Sequence, residues 1–209
     1  MTSPHPYHEI EAKLRVDLHE PVRRRLGELG AQFIGRYLEH NHILDRPDRS
    51  LQAASCGLRV RSMDTLEGRP AAATLTYKGP PLPGPFKRRE EIEVTLGLSE
   101  PRLLGSSVAE PRPSGSGSST DSAVVCSSAL NLLRALGYDT VLQYGKRRER
   151  WKLGQCTVEL DDVADLGLFV EIEGPDESTI SAAQSALNLA HVPHEPRSYV
   201  RMISERSAS

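Results

Sequence analysis

The sequence predicts an α+β domain built on an antiparallel sheet, and two observations predict it. About seven or eight segments alternate polar and apolar residues with the period of two that marks a half-buried strand. They follow one another in hairpin-like succession, with about two or three helical segments among them and no tandem repeat of fixed period.

Residues 9–16 open the pattern with strict alternation: Glu, Ile, Glu, Ala, Lys, Leu, Arg, Val. Pro21 suits the first turn of a short helix, in which Val22, Leu26 and Leu29 recur at helical spacing before Gly30 stops it. Residues 33–44 read as extended, with a turn at Asp45-Arg46-Pro47-Asp48. Strand 57–63 carries Arg59 and Arg61 on one face and Leu58 and Val60 on the other. Ala72–Lys78 is a strand closed by Gly79-Pro80-Pro81. Strand 88–96 places Arg89, Glu91, Glu93 and Thr95 opposite Ile92, Val94 and Leu96. Residues 123–136 predict an amphipathic helix with Val125, Ala129, Leu132, Leu133 and Leu136 as its apolar stripe, and Gly137 ends it. Strands follow at 141–153, 155–161 and 168–173. Asp176 caps a further helix that buries Ile180, Ala183 and Leu187, and 198–204 forms a short helix or strand.

The 209 residues suffice for one fairly large domain or two small ones. Residues 105–122, rich in Ser, Gly and Pro, bury too little apolar surface to offset the entropy of ordering them. We expect a disordered loop inserted in a single domain spanning 7–204, because neither flank is self-sufficient. With 38% hydrophobic and 26% charged residues the composition is that of a soluble globular chain. A formal net charge of -2 argues against a nucleic-acid or membrane partner. The first residues lack the apolar segment of a signal peptide, and no run approaches the roughly 20 apolar residues of a membrane span. Cys56, Cys126 and Cys156 are odd in number and lack C-x-x-C spacing, as expected of reduced thiols in a cytoplasmic protein.

The polar faces carry the functional information. Nearly every strand places acids and bases on one parity: Glu9, Glu11, Lys13 and Arg15; Arg59 and Arg61; Lys78; Arg89, Glu91 and Glu93; Lys146, Arg148 and Arg150; Glu159 and Asp161; Glu171 and Glu173. A solvated sheet face would look like this on any one strand. Repeated along the chain, the pattern also fits charged faces that converge inside a closed barrel. A charged interior is costly unless a charged ligand fills it. Arg and Lys suit phosphate oxygens, and paired carboxylates suit Mg²⁺ or Mn²⁺, hard cations that also bridge phosphates. The period of two puts Glu9 and Glu11 on one face of one strand, and Glu171 and Glu173 on one face of another.

At these residues the sequence resembles the CYTH family of cyclases and thiamine triphosphatases, also called triphosphate tunnel metalloenzymes. Glu9-Ile10-Glu11-Ala12-Lys13 resembles the signature Glu-x-Glu-x-Lys. The later segments come in the family's order: Leu58-Arg59-Val60-Arg61, Thr76-Tyr77-Lys78-Gly79-Pro80, Arg89-Glu90-Glu91-Ile92-Glu93, Lys146-x-Arg148, Leu160-Asp161-Asp162-Val163, Leu166-Gly167, Phe169-Val170-Glu171-Ile172-Glu173 and Ser198-Tyr199. The match covers almost the whole chain except about twenty residues around the insertion.

The resemblance implies an eight-stranded antiparallel closed barrel with flanking helices, whose tunnel binds a triphosphate with Mg²⁺ or Mn²⁺. By motif position Glu9, Glu11, Glu171 and Glu173 would serve the metal, with Asp161 near it. Lys13, Arg59, Arg61, Lys78, Arg89, Lys146 and Arg148 would bind the phosphates. Lys13, Lys78 and Asp161 are the candidate catalytic groups, with Lys13 or Lys78 polarising the nucleophile. The segments look most like the class IV adenylate cyclase branch, in which the ribose 3′-hydroxyl of ATP attacks the α-phosphorus and expels pyrophosphate. A triphosphatase acting on thiamine triphosphate or inorganic triphosphate is the alternative, and a non-catalytic nucleotide or polyphosphate binder the third reading. A homodimer would be analogy alone.

Other conspicuous residues have plainer readings. His40-Asn41-His42 lacks the further ligands of a metal site and reads as polar strand. Trp151 and Tyr77 read as packing residues. Arg150 shares the parity of Lys146 and Arg148, whereas Arg147 faces out.

Overall fold

The computed structural model describes residues 7–66, 72–96 and 120–207. Its strands are β1 (Tyr7–Val16), β2 (Gln32–Asp45), β3 (Gly57–Thr65), β4 (Ala72–Lys78), β5 (Lys87–Thr95), β6 (Asp139–Leu153), β7 (Cys156–Val163) and β8 (Gly167–Glu173). They close into one barrel in the order β1-β5-β4-β3-β2-β6-β7-β8. Every pairing is antiparallel. Closure depends on β1, which pairs with β5 from Tyr7 to Glu11 and with β8 from Glu11 to Val16. Closing the sheet removes its edges, so the charged parity of each strand can be turned inward without exposing unpaired backbone.

The barrel is inverted: its apolar faces point outward and are covered by helices. The helices are α1 (Glu20–Glu28), α2 (Ser50–Ala53), α3 (Thr120–Ala135), α4 (Glu177–Ala186) and α5 (Tyr199–Ser207). Ala12 and Leu14 of β1, Val158 and Leu160 of β7, and Val170 and Ile172 of β8 pack with Val22 and Leu26 of α1 and with Ile180 and Ala183 of α4. Each fully buried side chain of this kind contributes about 1.5–3 kcal/mol of transfer free energy. Helix α1 carries Pro21 in its first turn and ends before Gly30, whose φ of 68° is the left-handed value glycine adopts without strain. Asp176 caps α4 by accepting from the Thr179 N–H at 2.7 Å.

On the opposite wall α3 covers Leu44, Val60, Leu58 and Leu75 with Cys126, Ala129, Leu130 and Leu133. The stripe expected from sequence is therefore rotated: Leu132 and Leu136 are each 62% exposed. The buried set 126, 129, 130 and 133 is the i, i+3, i+4, i+7 series of one helix face, and Leu132 and Leu136 lie off it. The insertion expected at 105–122 falls outside the described residues, except for 120–122, which form the start of α3. The three cysteines are unpaired. Among the described residues no helix is long and apolar enough to cross a membrane.

The C-terminal segment completes the wall. Beyond the last β1–β5 pair, His194 forms a bridge with Leu14, and the Glu195 N–H donates to the Lys13 carbonyl at 2.7 Å. Helix α5 then packs at one end of the barrel: Tyr199 and Met202 pack on Val163, Leu166 and Phe169. The sequence left this tail open between helix and strand; it is a helix.

Candidate active site

A cavity of about 1400 Å³ runs through the barrel interior. The ladder registers alternate acid and base around its wall. Glu11 stands opposite Lys87 on β5 and opposite Glu173 on β8. Lys13 faces Glu171, Glu171 faces Glu159, and Glu159 faces Arg150. Arg148 faces Asp161, and Lys146 faces Glu39. Arg61 faces Asn41, Arg59 faces Thr76, and Lys78 faces Glu91. Directly paired residues share a face, so the alternation of each strand brings these side chains to one interior.

The pairs are tight. Arg148 donates to Asp161 through Nε and Nη2, both at 2.6 Å, and Nη2 also reaches Glu171 Oε2 at 2.6 Å. Its Nη1 pairs with Glu159. Lys146 donates to Asp161 Oδ2 at 2.9 Å and lies 3.4 Å from Glu39. Lys13 pairs with Glu171 at 3.2 Å, Lys78 with Glu91 at 2.7 Å, and Lys87 with Glu11. Arg61 donates to Asn41 at 3.0 Å and to Glu39 at 3.3 Å. Thr76 links Arg59 (3.2 Å) to Glu93 (2.8 Å).

Burial opposes buried charge, and in three of these groups the partners outweigh it. Burial would raise the Glu39 carboxyl, but Arg61, Lys146 and Arg148 hold it far below the usual carboxylate range. Glu171 is likewise depressed against burial by Lys13, Lys146 and Arg148. Burial would lower the Lys13 ammonium, yet Glu171 and Glu11 raise it, so Lys13 is a firmly held cation. Two basic groups go the other way. Burial, Lys13 and Lys78 pull Lys87 down despite Glu11, and burial with Arg59 and Arg148 pulls Arg61 down despite Glu39. Lys87 and Arg61 are thus each crowded by neighbouring cations. Arg59 Nε and Arg89 Nε are also buried without a hydrogen-bond partner. Orphaned, crowded guanidinium donors are a site for oxyanions.

The interior therefore gathers most of the residues singled out in the sequence. Glu11, Lys13, Arg59, Arg61, Lys78, Arg89, Lys146, Arg148, Glu171 and Glu173 line the cavity. Glu9 stands opposite Arg89 in the β1–β5 ladder; its side chain lies outside the description. Asp161 shares this inward face but has no exposure to the cavity: fully buried, it accepts from Lys146, Arg148 and the Tyr199 hydroxyl. Arg150 lines the cavity and Arg147 is exposed, as their parity predicts. Trp151 packs edge-on to Phe33 at 5.1 Å, and Tyr77 donates to the Cys56 thiol outside the tunnel. Two interior residues escaped the sequence reading. Glu39 is fully buried in β2, a strand with no clean alternation to expose its parity. Lys87 lies one residue before the expected start of β5, and counting the parity of Arg89 and Glu91 back two positions finds it.

The donor set fits a divalent cation. Glu11 with Glu173, and Glu159 with Glu171, are carboxylates directly opposite one another; Arg148 already bridges the second pair, so Glu11 with Glu173 is the pair suited to a divalent cation. Among the described residues no three carboxylate, His or Cys side chains stand together at coordinating separation. Glu11 and Glu171 are held by lysines instead.

Comparison with known proteins matches this architecture. The model of the CYTH domain family matches residues 7–199. A protein of Methanocaldococcus jannaschii, provisionally named an adenylate cyclase, is 27% identical over 165 residues, covering 79% of this chain and 75% of its own. The structure of PH1819 from Pyrococcus horikoshii superposes with a TM-score of 0.70 at 24% identity, covering 96% of this chain and 99% of that one. HpAC1 from Hippeastrum, a provisional adenylyl cyclase with a dominant triphosphatase activity, shares the fold at a TM-score of 0.61 and 15% identity, over 96% of each chain.

Proposed function

The chain belongs to the CYTH domain family, and on that premise we propose that it is a divalent-metal-dependent enzyme that takes a nucleoside triphosphate into the barrel and cyclises it, as an adenylate cyclase does. The observation that carries the reading is a charged tunnel continuous with an apolar mouth. Ile43 pairs with Arg59 on one side and with Leu142 on the other, so apolar and phosphate-binding side chains share one face. With Val200 of α5, Ile43 and Leu142 line the cavity beside Arg59. A cavity of about 1400 Å³ exceeds what a bare triphosphate fills. The mouth suits a nucleoside, and the interior suits its phosphates. The M. jannaschii relative's name agrees with this reading.

Arg59, Arg61, Arg89 and Arg148 supply the planar donors for the phosphates, and Lys78 and Lys146 supply point charges. Lys13, held charged by Glu171 and Glu11, acts as a fixed cation beside the leaving pyrophosphate rather than as a base. Asp161 sets Lys146 and Arg148 in place. Glu11, Glu171 and Glu173, with Glu9 by its register, would hold Mg²⁺ or Mn²⁺, which stabilises charge on the attacked and leaving oxygens. On loading, Lys87 and Lys13 turn from Glu11 and Glu171 to phosphate oxygens, freeing those carboxylates. The 3′-hydroxyl oxygen bonds to the α-phosphorus as the bond to the pyrophosphate oxygen breaks, and the hydroxyl proton is released to water.

Hydrolysis of a triphosphate is the second reading, because the charged stretch is complete without the apolar mouth. Separating the products from ATP, thiamine triphosphate and inorganic triphosphate, with Mg²⁺ or Mn²⁺, decides between them. Cyclic AMP with pyrophosphate is expected. Orthophosphate with a diphosphate would establish the triphosphatase, and no product from any substrate would leave a binding protein.

A further inference from the structure

Tyr199 joins the C-terminal helix to the tunnel. Its ring lies beside two of the tunnel's ammonium groups, with Lys13 Nζ 3.8 Å and Lys146 Nζ 5.2 Å from its centroid. Its hydroxyl donates at 2.9 Å to Asp161 Oδ2, the oxygen that also accepts from Lys146. The ring is fixed from outside by Phe169, edge-on at 5.1 Å, and by Tyr144 at 6.4 Å, and it is almost fully buried. The segment leading to it grips the same lysine twice more: Glu195 N–H donates to the Lys13 carbonyl, and Lys13 Nζ donates to the Arg197 carbonyl at 3.4 Å.

Both lysines have Glu171 as a carboxylate neighbour, at 3.2 Å from Lys13 and 4.0 Å from Lys146. Lys13 already pairs with Glu171, and simple electrostatics would draw Lys146 there too, occupying a carboxylate that the reaction needs free. An aromatic face offers a second, weaker attraction from another direction, because its quadrupole is negative. That attraction is strongest where the cation is desolvated, as these two are.

We propose that Tyr199 is a positioning residue: its ring gives Lys13 and Lys146 a second partner beside Glu171 and orients them toward the phosphate path, making α5 part of the active site. The role in turnover rests on the triphosphate reading above; the placement of the lysines does not.

The test uses the full chain with Tyr199→Phe and with pentafluorophenylalanine at position 199. The two rings have nearly the same shape, so packing on Phe169 survives in both, but fluorination reverses the quadrupole. One readout is the acylation rate of Lys13 and Lys146 by an amine-reactive ester, followed by mass spectrometry. The other is kcat and KM for ATP with Mg²⁺. Both variants lack the hydroxyl that donates to Asp161, so Tyr199→Phe is the reference: relative to it, the fluorinated ring should raise acylation of Lys13 and lower kcat by about tenfold each, with KM moving less. Equal behaviour of the two rings, whether both benign or both damaging, would overturn the proposal. If the wild type turns over no triphosphate, that reading fails, and the acylation rates still decide this one.

Discussion

Glu39 shows what a single residue does in an inverted barrel. It is fully buried and faces Arg61, Lys146 and Arg148 at 3.3, 3.4 and 3.7 Å. Removing its charge leaves three cations with less compensation, and breaking a buried pair in this way costs about 3–5 kcal/mol. We expect Glu39→Gln to lower the melting temperature at pH 7 and to weaken triphosphate binding less than it weakens stability. The pH dependence follows from the direction of its shift. The folded carboxyl is depressed, so its stabilisation is fully present above the unfolded value of about 4.3 and is lost as pH falls toward the folded value. Thermal melts from pH 7 to pH 2 should show the gap between wild type and Glu39→Gln closing below about pH 4. A gap constant across that range would mean that Glu39 is not the anchor described.

At the scale of elements, the strands carry two separate sets of ion pairs, one on each face. Glu149 points outward from β6, where it accepts from Arg23 of α1 (3.0 Å), Arg36 of β2 (3.1 Å) and the Trp151 indole N–H (2.7 Å). Its three donors fasten α1 and the outer face of the barrel. Glu149→Ala should therefore cost about 1 kcal/mol of stability, because solvent takes over part of the bonding of the partly exposed Arg23 and Arg36 heads. It should leave triphosphate affinity unchanged, since the side chain is on the far side of the wall. A parallel loss of affinity and stability would show that the two faces are coupled.

These elements also show what could be read from sequence. Where a strand alternates cleanly, as in β1, β3 and β8, its interior residues were legible, because a period of two assigns every side chain to a face. Strand β2 was legible as extended but not in its parity. Register shifts between Phe33 and Gly35 and between Ile43 and Leu44 interrupt the count, and Glu39 was missed. The α3 stripe was misjudged because its sequence offers two overlapping apolar series, and only the barrel wall it meets selects one. The acidic residue Asp161 looked like the other tunnel acids by spacing alone. That its oxygens are taken up by Lys146, Arg148 and the Tyr199 hydroxyl depends on contacts across the barrel that the sequence does not display.

Across the whole molecule the tunnel is close to electrically balanced. Among the described side chains its bases are Lys13, Arg59, Arg61, Lys78, Lys87, Arg89, Lys146, Arg148 and Arg150, and the acids set against them are Glu11, Glu39, Glu91, Glu93, Glu159, Asp161, Glu171 and Glu173. Such a balance favours neither an anion nor a cation alone, because each would strand buried charge of its own sign. A triphosphate entering with divalent cations satisfies both sets at once, as lysines pass to phosphate and carboxylates to metal. The consequence is thermodynamic coupling: each ligand should tighten the other by the same factor.

That coupling is measured by calorimetric titration of the full-length protein with inorganic triphosphate, with and without Mg²⁺, in wild type and in Glu171→Gln. We predict binding at one site that tightens by at least about tenfold with Mg²⁺, a coupling of about 1.4 kcal/mol, and that largely loses this enhancement in Glu171→Gln. Absence of triphosphate binding under both conditions, or binding indifferent to both Mg²⁺ and Glu171, would contradict the account.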